Sequence, residues 1–464
     1  MRPSGPDYDQ RIHNRTYDVT ELLQSGRNCL GATLGDGWWT GYVGWQEVRG
    51  RHGSLENSLM LQLEIELAGG QRMTIGTNGG WSCDTGPIIQ SDFQMGETYD
   101  ARRESPGWDA PAFEAREWLS AREESAPSVK LVAQRAEPVR VIETLTPALH
   151  TEIAPGVHIY DIGQNVTGWV RLKVAAPAGT RIQLRHGERL SADGTLYTEN
   201  FRRAKATDVY ICRREGEETF EPHFTFHGFQ YVELTGLPWT PWPDAVTACV
   251  IPSATPPVGR FECLHEGVNR LWLNGLWSQK DNFLSVPTDC PQRDERLGWM
   301  GDAQVFFRTS TCNMDVAAFF TKWMIDVEDA QTPEGVFPDV APRLREDSNF
   351  VGLGNLAGGA GWADAGIIIH NTFWRVYGDR RMVERHWDAM VKWLDWIELH
   401  NPDGLRLNLL ANNYGDWLCM PADTSFGTHS PMKNLFATAY WADDAAKMAR
   451  LARELGREEE ATRF

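Results

Sequence analysis

The chain has 464 residues, 42% hydrophobic and 23% charged, with 20 Trp, 19 Phe and 11 Tyr, enough apolar material for about three domains of roughly 100–200 residues each. Its 45 Lys and Arg against 63 Asp and Glu leave a net charge of −18, which repels a phosphate backbone and argues against nucleic-acid binding. No apolar run approaches the ~18–20 residues that span a bilayer, and the opening MRPSGPDYDQRIHNRT has no apolar segment of a secretory signal, so a cytoplasmic protein without a membrane partner is expected.

The first part of the chain has period two. Leu61, Leu63, Ile65 and Leu67 alternate with Gln62, Glu64 and Glu66, and Val170, Leu172 and Val174 alternate with Arg171 and Lys173. One wet and one dry face predicts antiparallel strands of the sandwich kind. Turns at Ala68-Gly69-Gly70 and Ala176-Pro177-Ala178-Gly179 separate such runs. The stretch 1–257 is too long for one small sandwich. A polar segment over 120–128 and a fresh strand start at Val139 predict a boundary near 125, giving modules 1–125 and 126–257.

After Ile251-Pro252-Ser253-Ala254-Thr255-Pro256-Pro257 the period becomes helical. Val383, Trp387, Met390, Val391, Leu394 and Ile397 fall on one face, with Arg385, Asp388, Lys392 and Asp395 largely elsewhere. Six helices are predicted, near 262–282, 301–313, 315–330, 362–377, 381–399 and 432–455. The long loops between them are rich in Gly, Asp, Asn and Trp, which marks functional loops. Eight cysteines are scattered without a CxxC pair; free, mostly buried thiols are expected, with no zinc site.

One of those loops concentrates charge. Residues 289–302, DCPQRDERLGWMGD, hold four carboxylates, two guanidiniums and a Trp. Pro291 and Gly298 forbid one straight helix, so these groups converge from a loop onto a helix start. A glycosidase needs such a mixture. One carboxylic acid must stay protonated to donate to the leaving oxygen, other polar groups grip hydroxyls, and an indole stacks on a sugar face. A salt-bridged loop around a core Trp is the plainer alternative.

The string CPQRDERLGWMGDAQ resembles the hallmark of the bacterial α-L-rhamnosidases, glycoside hydrolase family 78. TYDVTELLQSGRNCLGATLGDGWWTG resembles that family's N-terminal β-domain, and HIYDIGQNVTGWVRLKV with FTFHGFQYVEL its second sandwich. GWADAG (361–366) and NYGDWL (413–418) resemble its substrate-lining loops. The resemblance implies two antiparallel, jelly-roll-like β-sandwich modules followed, over 258–464, by the first half of an (α/α)6 barrel. It implies an inverting hydrolase that releases terminal α-L-rhamnose from a glycoside or polysaccharide; because no His₂–carboxylate spacing appears, no metal or cofactor is expected. Carried over by position, Glu295 is the general acid. Asp289, Arg293 and Asp302 are hydroxyl ligands, Trp299 is a wall of the rhamnose subsite, and Trp362, Asp364, Asp416 and Trp417 extend the pocket. Trp362 and Trp417 read equally well as core residues. Asp294 and Arg296 read as ion-paired loop supports, His370 as a satisfied buried histidine, and Met300 and Met420 as packing.

The chain departs from the family pattern at both ends. It enters the first module late, and six helices are half of a closed ring. The resemblance places a general base beyond residue 464, so a fragment with exposed inner helix faces and little or no activity is one expectation. A non-catalytic carbohydrate-binding protein is the competing reading. A lyase or phosphorylase on the same toroid is a third, disfavoured because carboxylates dominate the loop.

Overall fold

In the computed structural model, residues 7–45, 47–344, 356–407, 413–417 and 431–464 are described. A sheet-rich N-terminal part precedes a helical C-terminal part. No helix among the described residues is long and apolar enough to cross a membrane.

The alternating runs become strands. Gln62–Glu66 pairs antiparallel with Arg72–Gly76 across the Ala68-Gly69-Gly70 turn, with Leu63 and Ile65 half-buried between exposed neighbours. In the 19-residue strand Val157–Ala175, Val170, Leu172 and Val174 are buried while Arg171 and Lys173 stay half-exposed. This strand is the spine of a ten-stranded sheet. It pairs antiparallel with His227–Thr235 and Val246–Val250, and the sheet continues through Arg181–Gly187 and Thr207–Ile211. Its core holds Tyr160, Val166, Ile182, Leu184, Phe229, Val232 and Leu234.

The N-terminal 125 residues differ from a self-contained sandwich. Outside the large sheet their described strands form two-stranded ladders, Gln62–Glu66 with Arg72–Gly76, Ser82–Cys83 with Leu119–Ser120, and Arg11–Asn14 parallel to Lys130–Ala133. The hairpin Ile88–Asp92/Gly96–Asp100 instead adds to the large sheet, Gly96–Asp100 running parallel to Thr207–Ile211. It covers an edge that would otherwise leave unpaired N–H and C=O groups. Hydrogen bonds therefore cross the boundary expected near 125.

The predicted helices form as Glu266–Asn282, Met300–Asn313, Ala317–Asp329, Ala365–Tyr377 and Pro431–Glu454. The segment expected over 381–399 is broken into Arg380–Arg385 and Trp387–His400. The break falls at His386, which is buried with Nδ1 3.2 Å from Glu328. Val383, Trp387, Met390, Leu394 and Ile397 are buried as the stripe requires. A further cluster joins the parts: Val43 and Phe93 from the N-terminal segment, Trp169, Phe226 and Ile251 from the sheet region, and Leu284, Leu297 and Val340 from the helical part. The charged loop lies over this junction. Seven of the eight cysteines are free, Cys419 lying outside the described residues; only Cys212, Cys249 and Cys290 are buried, fewer than expected.

Candidate active site

The loop runs from the short ladder Phe283–Leu284/Val286–Pro287 to the helix Met300–Asn313. It closes on itself: Asp289 N–H donates to Leu297 O, and Leu297 N–H to Asp289 Oδ1, both at 2.9 Å. Arg296 has a left-handed backbone, φ +62°, which turns its fully buried guanidinium down into the junction. There it donates to the carbonyls of Phe93 and Phe226 and lies 4.7 Å from the Phe226 ring centre. Its anchors are thus carbonyls and an aromatic face rather than the carboxylate expected. Gly298 is required by a close approach, since a Cβ there would stand 2.2 Å from Ala341 O.

The Glu295 side chain is only 7% exposed. Its Oε1 accepts from the Trp299 indole N–H at 2.8 Å. Its Oε2 lies 2.7 Å from Arg202 and 3.1 Å from Arg293. Arg293 also reaches Asp289 Oδ2 at 3.2 Å. Burial, and then the charge of Glu295, pushes the Asp289 carboxyl up to about 8. Asp294 is ion-paired as expected, its partner being Arg202 at 2.6 Å.

Arg202 was not expected. It comes from the sheet region, at φ +57°, and the string Phe201-Arg202-Arg203 carries no motif by which to single it out. Gly44 was also missed: its N–H donates to the Glu295 carbonyl at 2.9 Å.

Trp299, Trp362 and Trp417 gather around Tyr414, which lies in the NYGDWL segment but is not among the residues singled out there. Its ring centre is 6.2, 4.3 and 5.9 Å from theirs, and its hydroxyl donates to Asp339 at 2.8 Å. Trp362 lies against Gly301, where a Cβ would clash with the indole. Trp417 is 41% exposed, and Asp416 is exposed beside it. Asp302 is exposed on the first turn of its helix, and Met300 is buried. Met420 lies outside the described residues.

Asp364 departs from the expected pocket position. It is fully buried and accepts from Arg406 at 3.0 Å, from Trp393 at 3.1 Å and from Gly361 N–H at 2.7 Å. With both oxygens taken inside the core, it holds the turn that presents Trp362 rather than facing the aromatic group. His370 is buried with Nδ1 on the Gly366 carbonyl, and burial followed by the neighbouring His386 lowers it to about 3.

Two groups among the described residues bring metal-ligating atoms within 4.8 Å of one another. Between Asp289, Cys290 and Glu295 the Arg293 guanidinium already supplies the positive charge. In the other, His186, Asp208 and His227, the imidazoles stack at 4.1 Å and 22°. Near-parallel rings do not aim both nitrogens in plane at one ion.

Residues 256–464 match the bacterial alpha-L-rhamnosidase 6 hairpin glycosidase domain, 1–143 the alpha-L-rhamnosidase N-terminal domain, and 151–252 the bacterial alpha-L-rhamnosidase concanavalin-like domain. An α-L-rhamnosidase of Streptomyces avermitilis is 43% identical over 462 residues, 99% of this chain and 43% of the relative. One of Formosa agariphila is 36% identical over 475 residues, 100% of this chain and 49% of the relative. The chain thus spans less than half the length of these two relatives. The crystal structure of Streptomyces avermitilis α-L-rhamnosidase complexed with L-rhamnose superposes with a TM-score of 0.89 at 41% identity, over 98% of this chain and 43% of that one. Native α-L-rhamnosidase from Aspergillus terreus gives 0.89 at 33% identity, over 99% and 53%.

Proposed function

The chain belongs to the bacterial α-L-rhamnosidases, glycoside hydrolase family 78, and from that membership we propose that it acts in hydrolysis of terminal α-L-rhamnosides. In this reading Glu295 gives its proton to the glycosidic oxygen as the bond from that oxygen to the rhamnose anomeric carbon breaks. Water attacks that carbon from the opposite face, with inversion, as its proton passes to a carboxylate general base. Asp289, Arg293 and Asp302 grip hydroxyls. Trp299 forms one wall of the rhamnose subsite, and Trp362, Asp416 and Trp417 extend it. Asp364 acts from beneath through the turn it holds. Only the acid of the catalytic pair is assigned to this chain.

The observation that carries the reading is the placement of Glu295: nearly closed to solvent, fixed by an indole N–H and two guanidiniums, with a second buried carboxyl, Asp289, close enough to be raised by its charge. A related protein solved with L-rhamnose supports the substrate class. The same reading takes the helices of 258–464 as half of an (α/α)6 barrel. The match of residues 256–464 to a six-hairpin glycosidase domain favours that architecture.

The test is nitrophenol release from an aryl α-L-rhamnoside by this chain and its Glu295→Gln variant. Removing the proton donor should lower turnover about 10²–10⁴-fold for a poor leaving group and far less for nitrophenol. Equal losses with both leaving groups would argue against the acid role. A wild-type chain that binds L-rhamnose but releases nothing would leave it a sugar-binding protein.

A further inference from the structure

The N-terminal segment reaches the acid directly. Gly44 N–H donates to the Glu295 carbonyl at 2.9 Å, and the Gln94 side chain donates to Gly44 O at 3.2 Å. Arg51 closes the same loop by donating to Trp45 O at 2.8 Å. The Trp45 indole is thereby held one residue from a direct tie to the acid's backbone. It is half-buried, packed on the junction cluster, with its ring centre 6.1 Å from that of Trp299 at 66°. The two indoles meet edge to face. Glu47, two residues beyond Trp45, and Arg203, next to the acid's partner Arg202, stand 3.7 Å apart, both well exposed.

A general acid protonates the oxygen between the departing sugar and its leaving group, so groups flanking the acid on the side away from the first ring face the leaving group. Resting on the rhamnoside reading, we propose that Trp45 is a platform for the leaving group. It would receive a flat-faced, hydroxylated ring, with the Glu47–Arg203 pair in reach of its hydroxyls. An indole suits this role because a ring face stacks on it while the hydroxyl edge stays wet. A sugar and a polyphenol share this chemistry.

The experiment measures binding to the 464-residue chain carrying Glu295→Gln, so that nothing is cleaved. The probes are L-rhamnose, a rhamnosyl-glucose disaccharide and phenyl α-L-rhamnoside. Adding Trp45→Ala should weaken at least one of the two extended probes about tenfold and leave the L-rhamnose Kd within about twofold. Trp45→Phe should recover most of the loss, which a collapsed loop would not permit. Loss for the disaccharide alone identifies a sugar as the leaving group, and loss for the phenyl glycoside alone an aromatic ring. Equal loss for L-rhamnose and the extended probes, or no loss at all, would overturn the platform. A parent chain that binds none of the three probes would overturn the rhamnoside reading itself, and the subsite with it.

Discussion

Glu295 and Trp299 stand four apart in sequence, a helical spacing, yet they meet in a loop. The loop can do this because Arg296 takes a left-handed backbone and buries its guanidinium on carbonyls, leaving the residues on either side to point the other way. The residue types in DCPQRDER were readable; which of them would feel the strongest field was not. Asp289 carries the large upward shift, because it is buried and then faces a neighbouring charge. Its ordinary value is 3.8 and its folded value about 8. The folded chain therefore keeps a proton that the unfolded chain releases, and the stability from this group is full at low pH and lost as pH rises through 8. Buried histidines such as His186, lowered to about 3, act with the opposite sign only below about pH 6.5. Between about pH 6.5 and 8, wild type should lose on the order of 1 kcal/mol more stability than Asp289→Asn. Urea denaturation across that window measures it, and parallel pH dependences would contradict it.

At the scale of elements, period was the dependable signal. The alternation at 170–174 and the stripe at 383–397 both became buried faces, since periodicity reports directly which side of a strand or helix is dry. Interruptions were less legible. The helix break falls at His386, which faces Glu328 on a different helix, a contact that no local pattern reveals. Asp364 makes the same point: GWADAG showed a carboxylate beside a Trp, but its partner Arg406 lies far along the chain. That ion pair is fully buried, with Asp444 buried beside it and pushed well above the usual carboxylate range by burial and then by Asp364. Replacing Arg406 by Met should leave Asp364 uncompensated and cost about 3–5 kcal/mol, measured by chemical unfolding. A loss under about 1 kcal/mol would contradict this.

For the whole molecule, the candidate site is a joint product. The helical part supplies the loop, the sheet region Arg202, and the N-terminal segment Gly44 and Trp45, over a shared apolar junction. Elsewhere the helices present apolar side chains to solvent: Val268 and Leu271 on Glu266–Asn282, Val305 on Met300–Asn313, Met432 and Leu435 on Pro431–Glu454. Exposed apolar surface of this kind promotes association. The chain by itself should therefore self-associate in a concentration-dependent way in size exclusion with light scattering; a monodisperse, heat-stable monomer would contradict this. By itself the sequence determined the order of sheet-rich and helical parts, the family and the charged loop, because hydrophobic period and a contiguous motif are local properties. Only the tertiary structure decided that Asp364 lies in the core, that Tyr414 gathers the tryptophans, and that Arg202 and Trp45 stand at the acid. Those positions depend on contacts between residues distant in the chain, and burial and charge act through space.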